Sequence, residues 1–114
     1  MHRATLNLMA FSFVLSFATG TAHAYASTVP TRITRITAYS EYGGGDVAFT
    51  VANPLPECSG GFWFKKTDAG FQATLTTLLS AYHARSTVRI YAHPDQLWPG
   101  SASNTCRLYG VDLL

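Results

Sequence analysis

The stretch FQATLTTLLSAYHARSTVRIYAH, Phe71 to His93, constrains the fold most, because it changes period in the middle. Phe71, Leu75, Leu78, Leu79 and Tyr82 fall at helical spacing and form one apolar stripe. From Ser86 onward the pattern alternates: Val88, Ile90 and Ala92 oppose Arg89, Tyr91 and His93. A helix therefore runs straight into a strand, with a cysteine on either side of the pair, Cys58 before and Cys106 after. Three threonines lower the intrinsic preference of the helix, so packing on a sheet must hold it. TDAG supplies its start, with Thr67 or Asp68 as the expected N-cap.

The rest of the chain reads as strands and turns. RITRITAYSEY is rich in β-branched and aromatic residues and predicts a first strand. Gly43 to Gly45 form a turn, after which Val47, Phe49 and Val51 share one face and Ala48, Thr50 and Ala52 the other. The two strands make a hairpin. PLPECSGG breaks the pattern, and FWFKK follows as a third strand with Phe62 and Phe64 opposite Trp63 and Lys65. The polar stretch from Pro94 to Asn104 reads as a loop, and TCRLYGVDLL as the last strand. ASTVPT reads as an irregular entry segment. The expected order is β-β-β-α-β-β, mainly β with one helix, which suits a small barrel of the OB type. A five-stranded sheet with the helix on one face is the rival layout.

Residues 1–24 read as a signal peptide: a basic start, an apolar run, and Ala22 and Ala24 at the small-residue positions of a cleavage site. The alternative is a retained N-terminal anchor. The expected mature domain is 25–114, secreted or periplasmic, with no membrane span after cleavage. Export into an oxidising compartment favours a Cys58–Cys106 disulfide, which contributes roughly 4 kcal/mol on the chain-entropy model. A thiol pair for metal or redox work is the other reading, but there is no CxxC and no histidine close to either cysteine. No metal site or other cofactor is expected.

Charge excludes one class. Without Arg3 the domain carries seven basic against six acidic residues, which is no nucleic-acid footprint. Charged residues are sparse (12%) while aromatics are plentiful (13%), a balance that points to surface hidden in an assembly or used for a ligand.

Several segments together resemble a known family. The signal peptide, the β-hairpin, then CSGGFWF, then FQATLTTLLSAYHARSTVRIYAH, then Cys106 with RLYGVDLL, are similar to the B subunits of bacterial toxins that set one A chain on five B chains. The nearest branch holds the subtilase cytotoxin and typhoid toxin B subunits. Small exported bacterial proteins of the same plan are similar too. The resemblance implies an OB-fold, a ring of five identical subunits, an enzymatic A chain as partner, and binding of sugar chains on host glycoproteins or glycolipids. AYAS and AYSEY, with Ser27 and Ser40, are the candidate places for a sugar-contacting serine.

Candidate ligand residues follow from chemistry. Trp98 on the polar loop could stack on a sugar face, with Ser101 and Asn104 supplying hydrogen bonds, or it could cap the end of the barrel. Tyr39 and Tyr42 flank the first turn and suit either a sugar platform or cross-strand packing. A hydrolytic site could be assembled on paper from Ser80, His83, His93 and Asp95, but nothing in their spacing enforces it. His83 at a helix end suits the helix dipole instead. The sequence thus reads as a binding module, not an enzyme. The alternative is an exported protein-interaction, inhibitor or accessory protein on the same barrel without glycan binding.

Overall fold

The computed structural model describes Ser12 and residues 25–114; the proposed signal peptide lies almost wholly outside the described residues. Six strands form one sheet: β1 (Ala26–Ser27), β2 (Ile33–Ala38), β3 (Val47–Val51), β4 (Gly61–Phe64), β5 (Val88–Leu97) and β6 (Thr105–Leu113). One helix, α1 (Phe71–Ala84), lies between β4 and β5. The sheet order is β1-β5-β6-β4-β3-β2. Every pairing is antiparallel except β4 with β6. The sheet is open as its ladder runs, with β1 and β2 at its ends.

The expected element types hold, and four details change, the last of them the helix stripe. First, the entry segment contributes a strand. Ala26 and Ser27 pair with Ala92 and Tyr91. Beyond them two threonines carry the pairing on. The Thr28 hydroxyl accepts the Ile90 N–H at 3.1 Å, and Thr31 exchanges backbone bonds with Val88. Both threonines are buried. Their hydroxyls can accept bonds that a ladder carbonyl would otherwise take, so a Ser/Thr/Pro segment behaves as sheet.

Second, β5 does not stop at His93 but runs to Leu97. The register slips between His93 and Leu97, and Pro94 sits in that irregularity, where its missing N–H costs no ladder bond. Third, α1 starts without a side-chain cap, at Gly70. Asp68 is used otherwise: it accepts the Lys65 N–H and pairs with Arg107.

The helix stripe is rotated from the expected one. Leu78 and Ala81 are buried, and Phe71 and Leu75 pack against the core. Leu79 and Tyr82 are exposed. The small Ala81 brings the helix close to the sheet and leaves Tyr82 outside. The core on this side unites Val47, Phe49, Phe62, Phe64, Val88 and Ile90 with Leu78. The strand residues are those that the alternation assigned to one face. Phe64 meets Phe71 at 5.4 Å between ring centroids, which fixes the helix start over β4.

The disulfide Cys58–Cys106 is formed, with Cα atoms 5.4 Å apart and both residues fully buried. It ties the turn before β4 to β6, beside the parallel β4–β6 pairing. It is compatible with an extracellular location. No helix among the described residues is long and apolar enough to cross a membrane.

Candidate functional site

The face of the sheet turned away from α1 carries two groups of aromatic side chains. One is the predicted group. Trp98 follows β5, and its ring lies over the sheet beside Trp63, with Tyr39 at 5.3 Å and Tyr42 at 5.4 Å between centroids. Trp98 is only 5% exposed, and its indole N–H donates to Asp46 Oδ2 at 2.9 Å. The loop glycine Gly100 lies tight against the ring: a Cβ there would stand 2.4 Å from it. Asp46 itself is buried behind the Gly43–Gly45 turn, and Gly43 adopts φ +64° directly over the carboxylate. The turn glycines therefore do more than reverse the chain. They seat the acid that holds the tryptophan.

Trp98 thus closes the end of the sheet, as the capping reading of this residue had it. Ser101 Oγ accepts the Ser103 N–H, and the Asn104 carbonyl accepts the Gly60 N–H, so both serve the loop. Tyr39 and Tyr42 remain partly exposed around the covered tryptophan. A small cleft of about 120 Å³ beneath them takes in Arg35, Thr37, Thr50 and Ser101.

The second group is open. Tyr25 stacks on Tyr109 at 4.3 Å between centroids with nearly parallel planes, and meets Tyr91 edge-on at 6.1 Å. Tyr25 is 48% exposed and Tyr109 58%. His93 sets its ring edge-on to Tyr109 at 5.4 Å. The Tyr91 hydroxyl donates to Asp112 Oδ2 at 2.8 Å. Tyr25, Tyr91, Tyr109 and Asp112 border a cleft of about 360 Å³ together with Gly110 and Val111. Gly110 pairs across the sheet with Tyr91, and a Cβ placed on it would meet nothing within 4 Å. Ser27, one of the two candidate serines, also pairs with Tyr91, at the edge of this group. Ser40 lies at the exposed hairpin end instead.

The geometry comes from a register shift. Ala92 pairs with Leu108 and Tyr91 with Gly110, so Tyr109 is an extra residue in β6. The bulge throws the Tyr109 ring outward, onto Tyr25. Between the two groups runs a cationic link: Arg107 lies over the Trp63 ring at 5.2 Å and Lys65 at 5.5 Å. Arg107 pairs across the ladder with both Trp63 and His93. Trp63 is buried beneath these two cations and the Trp98 ring.

The residues of the paper hydrolytic site do not share a cleft. His83 lines one at the end of α1, and His93 lines another beside Asp68, Arg107 and Tyr109. Among the described residues no three His, Cys, Asp or Glu side chains are grouped so as to hold a metal ion. Sequence reasoning passed over Tyr25, Tyr91 and Tyr109. The alternation of β5 put Tyr91 and His93 on the outer face, and that was the available signal; the bulge at Tyr109 left none. No protein-family model, no curated protein and no solved structure matches this chain.

Proposed function

We propose that the chain is an exported binding module of OB type, and that its tyrosine face binds a glycan without cofactor or chemistry. The observation that carries the reading is the exposed Tyr25–Tyr109 stack beside an unfilled space over Gly110. Flat aromatic rings give contact area at small entropic cost, and the adjoining Asp112 carboxylate and Tyr91 hydroxyl can bond sugar hydroxyls. A pocket with few fixed charges suits a polar, largely uncharged ligand.

The barrel reading is supported by the path of the first strands. β1 and β2 belong to one continuous segment, which pairs with β5 at its start and with β3 at its end. Thr31, between them, bridges to Val88. With α1 between β4 and β5 and a parallel β4–β6 pairing, that shared segment is the one that would join the two ends of the sheet into a barrel. Self-association is part of the proposal: Leu79 and Tyr82 expose an apolar helix face. By the toxin resemblance the assembly is a ring of five that receives an A chain. Light scattering on the purified domain then gives five times the monomer mass, whereas a monomer favours the accessory-protein reading.

The test of the site is a glycan array probed with residues 25–114 and with Gly110→Val. The valine Cβ enters open space with no atom within 4 Å, and its methyl groups extend toward the cleft. Glycan signal in the parent and its loss in a folded Gly110→Val is the expected result. Equal signal in both removes the tyrosine cleft as the site, and no signal from the parent removes glycan binding.

A further inference from the structure

A second cleft lies on the other side of the molecule, where the end of α1 meets the start of β2. It measures about 380 Å³ and is lined by Arg32, Ile33, Tyr82, His83 and Arg85. It shares no residue with the tyrosine cleft. Two guanidinium groups and an imidazole border it, and no acidic residue does. The Arg107–Asp68 pair is the only ion pair among the described residues, so Arg32 and Arg85 have no carboxylate within 4.0 Å there.

Arg85 carries an additional anomaly. It ends α1 in the left-handed conformation, φ 53° and ψ 36°, and is the only non-glycine with positive φ among the described residues. Its N–H caps the Ala81 and Tyr82 carbonyls, and the Ser86 N–H bonds back to Ala81. Glycine is the residue that this capping position favours. A side chain there is disfavoured, because its Cβ crowds the following carbonyl. Nothing in the backbone calls for arginine; the guanidinium it delivers to the cleft is what distinguishes it from glycine.

The charge balance decides the kind of ligand. The helix end contributes about −0.5 of an elementary charge, already partly answered by the capping N–H groups. Two guanidinium groups outweigh it clearly. A carboxylate would leave one of them unmatched, while a phosphate monoester carries about −1.5 to −2 at neutral pH. Guanidinium forks also match tetrahedral oxyanions in pairs of parallel hydrogen bonds. We infer that this cleft binds a small ligand bearing a phosphate or sulfate group, held by Arg32 and Arg85 with an N–H from His83. The volume exceeds many times the ~30 Å³ share of one water, which leaves room for a ring attached to the anion and flanked by Ile33 and Tyr82.

The test uses the whole domain and thermal melts with inorganic phosphate, sulfate and acetate at one ionic strength. Phosphate and sulfate raise Tm saturably, and acetate does so far less. Glucose 6-phosphate separates the sources: a response stronger than that of inorganic phosphate supports the site with a sugar phosphate as its ligand, and an equal one supports it with a free anion. Arg32→Gln and Arg85→Gly each weaken the apparent phosphate affinity by about tenfold or more. Arg85→Gly also raises Tm in phosphate-free buffer, because glycine relieves the left-handed backbone. Arg32→Gln leaves that cap untouched, so loss of the phosphate response in it is not a folding effect. Equal shifts with acetate and phosphate, or an unchanged phosphate response in both variants, overturn the inference.

Discussion

Two aromatic groups share one face of the same sheet, yet one is shut and the other open. At the β2–β3–β4 end, Trp98 is covered by its own loop, hydrogen-bonded to Asp46, and ringed by Tyr39, Tyr42 and Trp63. At the β1–β5–β6 end, Tyr25, Tyr91 and Tyr109 stand on bare strands with a gap over Gly110. The shut end is pinned covalently: Cys106 begins the return from the Trp98 loop and is bonded to Cys58. Among the described residues the three tyrosines of the open end make one side-chain hydrogen bond, from Tyr91 to Asp112. The same residue types thus serve stability where a loop and a disulfide desolvate them. Where neither does, they stay open, and the proposed function assigns them to recognition.

If that contrast is right, the largest effects lie at the shut end. Cys58→Ser removes the cross-link from the unfolded chain and costs about 4 kcal/mol under oxidising conditions. For a domain of this size the melting temperature falls on the order of 20 °C. Under reduction, parent and variant should melt nearly together. An unchanged oxidised melt would show that the bond does not constrain the fold. Trp98→Ala comes next, at about 3 kcal/mol, near the low end for a buried tryptophan because its loop can partly collapse. It also strands the Asp46 carboxylate without its donor. Chemical denaturation measures the cost, and a glycan array should find binding retained at the other end. A cost below about 0.5 kcal/mol would mean that the tryptophan is not structural.

The contrast also explains what could be read from sequence. α1, the β2–β3 hairpin, the third strand and the cysteine pairing were legible because each rests on local periodicity, turn residues or compartment. Leu78 and Phe71 followed from helical spacing alone. Ala81 did not, because spacing cannot tell which edge of an apolar stripe meets the sheet, and a small residue wins where the backbones come close. β1 was hidden by its composition: the Ser/Thr/Pro entry segment shows no apolar alternation, and backbone bonds with the Thr28 hydroxyl hold it on β5. The Trp98–Asp46 bond joins residues 52 apart, so a turn aspartate gave no hint of its partner. The tyrosine face was half legible. Alternation put Tyr91 and His93 outward, but the bulge that aims Tyr109 at Tyr25 is a property of the β5–β6 register, which no single strand encodes.

The smallest stability effect is the most informative about function. Tyr109 is 58% exposed, and its removal gives up the stack on Tyr25 and the edge contact with His93. Tyr109→Ala should therefore cost less than about 1 kcal/mol in denaturant unfolding. If the open rings are the ligand surface, the same substitution weakens glycan binding by about tenfold or more, each tenfold being about 1.4 kcal/mol of binding energy. Trp98→Ala should show the reverse pairing of large stability loss with retained binding. The two variants together form a test that neither supplies alone, because a purely structural view of both groups predicts that binding falls only as far as stability does. A Tyr109→Ala domain that melts like the parent and binds like it would leave the open tyrosines as unused surface. One that melts like the parent and no longer binds assigns the contrast between the two ends to function.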